Sequence, residues 1–361
     1  EKMGIKNIKL SNFRNYENID INLEKNINIF YGENAQGKTN IIEAIFLSSM
    51  GKSFRAKKDA EMIKLNKETA LVELKYEKKD REGKIKIELG KRKFIFNNGI
   101  KLKKLSELLG TINIVIFTPD DIEILKGGPQ QRRKFLDIMI SQLRPNYISI
   151  LNTYSKIIEQ RNNYLRQIKE ENKKIELLDI WDEKLIEYAN KISKYRNEFV
   201  EKISKKIKTI HNKITNNKED IEIKYKTECL DIENFKKLLK ERRKLDIIKG
   251  YTTKGIHRDD FEIFINDKEL NIYGSQGQHR TAILSLKISE LEVIYDEIDE
   301  YPILLLDDFM SELDLNRKKN LLNYMEKTQV IITCTEKLEI ENMKYTEYKV
   351  KEGKIFDKEE I

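Results

Sequence analysis

The run Gly32-Glu33-Asn34-Ala35-Gln36-Gly37-Lys38-Thr39 has the G-x-x-x-x-G-K-[ST] spacing of a phosphate-binding loop. Glycines let backbone N–H groups turn inward around phosphate oxygens, and a following helix adds the positive end of its dipole. Lys38 is expected to reach the β- and γ-phosphates, and the Thr39 hydroxyl to bind Mg²⁺. A second chemistry-bearing pair, Asp307-Asp308, closes the apolar run Ile303-Leu304-Leu305-Leu306. A buried parallel strand delivers its last residues to a nucleotide crevice. Asp307 is therefore expected to hold Mg²⁺, directly or through water. Asp308 is expected to orient or deprotonate an attacking water, so that Lys38 and Asp308 carry the catalytic roles.

A third group, Ser275-Gln276-Gly277-Gln278, precedes the acidic strand and opens a helix-like run. The wide separation of phosphate loop and acidic strand, with a Ser-x-Gly-Gln box between them, resembles the ABC-type ATPase heads. In such heads the serine and its neighbouring N–H groups cap the γ-phosphate held by a second subunit, again anion binding at a helix N-terminus. Met310-Ser311-Glu312-Leu313-Asp314 matches the loop that these heads place across their dimer interface. After the next apolar run, Thr333 or Thr335 stands where transporters carry a switch histidine.

These residues need elements to position them. Ile27-Asn28-Ile29-Phe30-Tyr31 reads as the strand before the phosphate loop, and Asn40 to Leu47 as the helix after it. Ile19, Ile21 and Leu23 alternate, as do Val72, Leu74 and Tyr76, and Ile85, Ile87 and Leu89, so the first segment reads as β-rich. Asn98-Gly99 marks a hairpin turn after Phe94-Ile95-Phe96. Residues 113–117 read as another strand, closed by Thr118-Pro119-Asp120-Asp121.

From Asp121 to about Asn217 the pattern is helical, charged and nearly free of glycine, with Pro145 as a break. Trp181, Leu185, Tyr188, Ile192, Tyr195, Phe199 and Ile203 form an amphipathic stripe of coiled-coil type. Strand patterns resume after Gly250, with Phe261, Ile263 and Ile265. The expected organisation is an α/β P-loop ATPase head of ABC type (lobe I), residues 1–120 plus 250–361. A short helical arm lobe (lobe II), residues 121–249, is inserted into it.

The chain has 361 residues, 36% of them charged, with only 15 Gly and 4 Pro, which describes a helix-rich globular protein. It lacks any run of 18 apolar residues, so no membrane-spanning helix and no membrane partner are expected. The start reads as a strand and not as a signal peptide. Cys229 and Cys334 have no metal-ligand spacing, and a cytoplasmic location is expected. Residues 1–150 carry 29 basic and 19 acidic side chains, residues 151–250 carry 25 and 18, and residues 251–361 carry 15 and 24. The basic excess over the first 250 residues fits either a footprint for a polyanion or a lysine-rich solvated surface.

Taken together, Leu10-Ser-Asn-Phe-Arg-Asn-Tyr16, the loop through Asn40, Gly51-Lys-Ser-Phe-Arg55, Gly128-Pro-Gln-Gln-Arg-Arg-Lys-Phe-Leu-Asp137, Gly255-Ile-His-Arg-Asp-Asp260, Ser275-Gln-Gly-Gln278 and Leu306-Asp-Asp-Phe-Met-Ser-Glu-Leu-Asp314 are highly specific. The chain resembles the RecF family of bacterial recombination-mediator ATPases over essentially its whole length. That resemblance implies an SMC- and Rad50-like head, ATP and Mg²⁺, and an ATP-dependent homodimer on single-stranded or gapped DNA with slow, DNA-dependent hydrolysis. It also implies action in replication, recombination, gap repair and the SOS response, helping to load RecA with RecR and RecO as partners. Gly32 to Asn40, with Arg14 and Arg55, are implied to contact the nucleotide, and Ser275, Gly277 and Gln278 to contact it from a second copy. His279 and Ile256 depart from the family, which more usually has Gln and Pro there. Arg132 and Arg133 are expected to play a structural or interlobe part, His257 to form a polar hinge, and His211 to be exposed. The ATPase subunit of an ABC transporter and a nuclease-linked ATPase are the alternatives.

Overall fold

The computed structural model describes residues 3–79, 81–171, 173–338, 340 and 343–357. They form two compact units: one holds the described residues up to Asp121 and those from Leu284 onward, the other runs from Ile122 to Ile283.

In the first unit a six-stranded sheet is built around the apolar strand Ile27–Tyr31. Its order is Lys354–Asp357, Tyr345–Lys351, Ile27–Tyr31, Val330–Cys334, Ile303–Asp307 and Ile114–Phe117. All pairings are parallel except that of the edge strand Lys354–Asp357. The central strands are covered on both faces, so their sequences are nearly continuous apolar runs. One buried polar residue in them, Asn28, accepts from the Glu24 N–H and donates to its carbonyl, both at 2.9 Å. Parallel register aligns Phe30 with Thr333 and Thr333 with Asp307, so three strand ends share one edge.

A second, antiparallel six-stranded sheet runs Tyr16–Asn22, Gly4–Phe13, Ala70–Lys78, Arg81–Leu89, Phe94–Asn97 and Ile100–Lys101. Its strands alternate buried and open residues as the sequence pattern predicts. Asn98 and Gly99 take φ of 51° and 81° and make the expected hairpin turn. The helix Lys38–Met50 touches strands of both sheets and is buried along nearly its whole length. That is why it lacks a polar face and reads as an apolar run.

The second unit is mostly helical: Ile122–Lys126, Pro129–Leu143, Asn146–Glu171, Leu178–Thr215 and Ile232–Lys249. Pro145 sits between two of them, where its missing N–H costs nothing. The long helix buries Leu185, Ile192, Phe199 and Ile203 from the predicted stripe. His211 is fully buried, contrary to the expectation of exposure. It follows Ile207 by one turn and precedes Ile214, so it shares their inner face despite the surrounding lysines.

The unit boundary also falls later than the expected lobe boundary at Gly250. Strand Asp260–Ile265 pairs with Ile221–Lys226 and Lys268–Glu269 in a three-stranded sheet, which groups residues 250–283 with the helices. Periodicity identifies that strand but cannot say which sheet it joins.

Buried ion pairs tie this unit. Arg161 donates to Asp182 at 2.7 Å and to Asp246 and Thr252 at 2.8 Å, stapling three helices. Arg196 donates to Asp137, to the Ile256 carbonyl and to Asp259. Arg132 makes a two-pronged pair with Asp260, and Arg133 donates to the Asp259 carbonyl. His257 donates from Nε2 to the Thr252 carbonyl and accepts at Nδ1 from the Tyr154 hydroxyl, both at 3.0 Å. The Gly255–Asp260 segment is thus a structural hub of the second unit.

Candidate nucleotide-binding site

The loop between Tyr31 and Lys38 is held on every side by backbone and polar contacts. Gly32 has φ of 154°, and a Cβ there would meet the Val350 carbonyl oxygen at 2.3 Å. Gly37 caps the helix with φ of 115°, and a Cβ there would strike the Asn15 amide at 2.6 Å. Ala35, at φ 64°, completes a left-handed turn of the kind that aims successive N–H groups inward. Asn15 donates to the Gln36 carbonyl at 2.7 Å and accepts from Asn40 at 2.6 Å. The Tyr16 hydroxyl donates to the Gly37 carbonyl at 2.9 Å. The Glu352 N–H donates to Gln36, which ties the loop to the hairpin after Tyr345–Lys351.

Lys38 is 4% exposed. Its ammonium donates to the carbonyls of Gly32 and Glu33 at 2.6 and 2.8 Å, so its charge stays over the loop. Thr39 donates from Oγ1 to Asp307 Oδ1 at 2.8 Å, joining residues 268 positions apart. Thr333 donates to the same oxygen at 2.7 Å. Burial pushes the Asp307 carboxyl above its ordinary value; the two hydroxyls pull it back down, and the Asp308 charge adds to the rise. Asp308 adopts φ of 49°, and its N–H donates to both the carbonyl and the hydroxyl of Thr333 at 3.1 Å. Thr333 is thus buried and committed to the acidic pair, while Thr335 is exposed beyond the strand.

Around Lys38–Met50, Glu43 is fully buried and receives Arg14, Arg55 and Ser53. Burial works against its charge, but these three donors outweigh it and hold the carboxyl below the ordinary range. Asn15, Tyr16 and Glu43 are the functional candidates that sequence reasoning missed. The first two lay inside a quoted motif, yet nothing local shows that a β-turn would grip the loop. Glu43 was hidden as one more polar residue in an apolar helix.

Ser275, Gly277 and Gln278 lie in the second unit, at the start of helix Gln276–Ile298. Ser275 Oγ accepts from the Gln278 N–H at 3.2 Å, and Gln278 Oε1 accepts from the Ser275 N–H at 2.9 Å, a reciprocal capping box. His279 donates from Nδ1 to the Ser275 carbonyl at 2.8 Å, which fixes the cap from a third direction. Its Nε2 is buried without a hydrogen-bond partner among the described residues.

The family model for the RecF/RecN/SMC N terminal domain matches residues 4–355. The chain is 46% identical to the DNA replication and repair protein RecF of Clostridium botulinum (strain ATCC 19397 / Type A), over 98% of this chain and 99% of that protein. The chain belongs to the RecF family. Among solved structures it is similar to the recombination mediator protein RecF with ATP in the RecFOR pathway, at TM-score 0.92 and 42% identity, covering 99% of this chain and 98% of the other. The Smc head domain derived from Pyrococcus furiosus shares the fold at TM-score 0.56 and 17% identity, covering 99% of this chain and 97% of that one. The fold is accordingly that of the ABC-type ATPase heads, as expected, and a match to RecF over the whole chain disfavours the transporter alternative. Among the described residues no helix is long and apolar enough to cross a membrane, and no group of three or more His, Cys, Asp and Glu residues suited to a metal is found.

Proposed function

We propose that this chain is a DNA replication and repair ATPase of the recombination-mediator class, acting as an ATP-gated clamp on DNA. The observation that carries the reading is the Thr39–Asp307 hydrogen bond, because it unites the phosphate loop with the acidic strand at one sheet edge. The Gly32–Asn40 loop cradles the phosphates of ATP, with Lys38 as the positive charge held over them. Thr39 and Asp307 supply a hydroxyl and a carboxylate oxygen from rigid elements, a donor set that suits Mg²⁺, which takes few protein ligands beside phosphate oxygens. When bound, Mg²⁺ would neutralise charge on the β- and γ-phosphates. Thr333 keeps Asp307 aimed, and Asp308 orients the water that attacks the γ-phosphate.

Ser275, Gly277 and Gln278 present a capped helix N-terminus, suited to the γ-phosphate held by another copy. Two such composite sites join two chains while ATP is intact and release them after slow hydrolysis. The basic excess over the first 250 residues supports DNA as the partner; by family kinship RecR and RecO are its protein partners and the cytoplasm its setting. Sizing the chain with ATP or ADP, with and without gapped DNA, tests this. ATP is expected to yield dimers, ADP monomers, and DNA retention is expected to fall steeply with salt. A chain that stays monomeric with ATP and gapped DNA overturns the clamp.

A further inference from the structure

Two arginines meet one carboxylate beside the phosphate loop, and they use it differently. Arg14 stands in the turn after Gly4–Phe13, at φ 54°. Its Nε and Nη2 donate to Glu43 Oε2 and Oε1 at 2.8 and 2.7 Å, and its Nη1 donates to the Glu61 carbonyl at 2.6 Å. Every nitrogen of that guanidinium already serves a protein acceptor. Arg55 reaches Glu43 Oε2 end-on through Nη2 alone, at 2.7 Å, and the same nitrogen donates to Asn40. Its Nε and Nη1 make no hydrogen bond among the described residues, and its side chain is 36% exposed. Its charge is also felt by Asp307.

We infer that Arg14 and Glu43 are positioning residues that hold the Arg55 fork open toward the phosphates, and that Arg14 itself does not touch the nucleotide. The inference rests on the nucleotide assignment above. Its physical basis is competition for one carboxylate. Guanidinium and carboxylate prefer a two-pronged pairing, and phosphate offers the same geometry. Because Arg14 occupies both Glu43 oxygens and Ser53 adds a bond to Oε1 at 2.6 Å, Arg55 is left a single end-on contact. One carboxylate against two guanidiniums leaves one positive charge, carried on the partly exposed member. Without Arg14, Arg55 would turn its fork onto Glu43 and withdraw it from the ligand.

The test is a double-mutant cycle on the full chain, reading ATP affinity by titration calorimetry. Arg55→Ala and Arg14→Gln are each expected to weaken ATP binding about tenfold, the size of one charge-assisted hydrogen bond. In the Arg55→Ala background, Arg14→Gln is expected to add less than about a twofold change, since it acts only through Arg55. Arg14→Lys, which keeps the charge but cannot span both oxygens, is expected to resemble Arg14→Gln. A full tenfold loss from Arg14→Gln in the Arg55→Ala background would overturn the inference, because Arg14 would then act on its own. Absence of ATP binding by the unaltered chain would instead refute the nucleotide assignment.

Discussion

Asp307 and Asp308 are chain neighbours in unlike surroundings. Asp307 is buried, takes two hydroxyl bonds on one oxygen and faces Thr39. Asp308 follows in a left-handed turn, and its carboxylate makes no hydrogen bond among the described residues. A carboxylate committed to Thr39 suits holding a cation, and an uncommitted one beside it suits a water. The side chains of Asp308→Asn are nearly isosteric, so the turn survives but the basic oxygen is lost. Hydrolysis should fall by about 10²–10⁴-fold, the usual worth of a general base, while ATP binding is kept. Steady-state phosphate release and ATP titration check this, and wild-type turnover by Asp308→Asn would move the water-activating role elsewhere.

At the scale of elements, the helices of the second unit are joined through charge as well as through apolar stripes. Arg161 is fully buried, and Asp182 and Asp246 depend on it from two other helices. Asp182 keeps Arg243 as a second partner, whereas the Asp246 carboxylate otherwise receives only Thr253 among the described residues. Replacing Arg161 with Ala leaves the Asp246 carboxylate buried without a cation and Asp182 with Arg243 alone, which costs about 3–5 kcal/mol. Trp181, the single tryptophan, packs on Leu165, Ile168 and Leu178 and reports on this unit. Urea unfolding followed by its fluorescence should shift to a clearly lower midpoint in Arg161→Ala. A shift worth less than about 1 kcal/mol would mean that the cluster relaxes or admits water. The amphipathic stripe was legible from spacing alone, but Arg161, Asp182 and Asp246 come from distant segments and nothing in the spacing pairs them.

For the whole molecule, the proposed clamp needs surfaces that a single chain leaves open. Leu315, just past the Met310–Asp314 loop, is 86% exposed, and Ile272 and Tyr273, just before Ser275, are also exposed. Apolar residues left open beside both motifs of the proposed interface fit faces that a second copy would cover. Ser275→Arg puts a bulky charge at the capped helix start, where a close approach is needed. It should raise the dimer dissociation constant about a hundredfold or more, while ATP binding by the monomer is spared. Sedimentation with ATP measures the first and titration the second. Loss of both would assign Ser275 a role in folding alone.

The phosphate loop, the acidic strand, the hairpin at Asn98-Gly99 and the long amphipathic helix could all be read from the sequence. Each is a local matter of spacing, turn chemistry and periodicity, and the residues that encode it are adjacent or one helical turn apart. Only the tertiary structure decided that Asn15 and Tyr16 grip the loop, that Glu43 takes Arg14 two-pronged and Arg55 end-on, that Thr333 serves the acidic pair, and that Asp260–Ile265 joins the sheet of the second unit. Those contacts bring together segments far apart in the chain. Hydrogen-bond geometry and burial select them among many polar residues that look alike in the sequence.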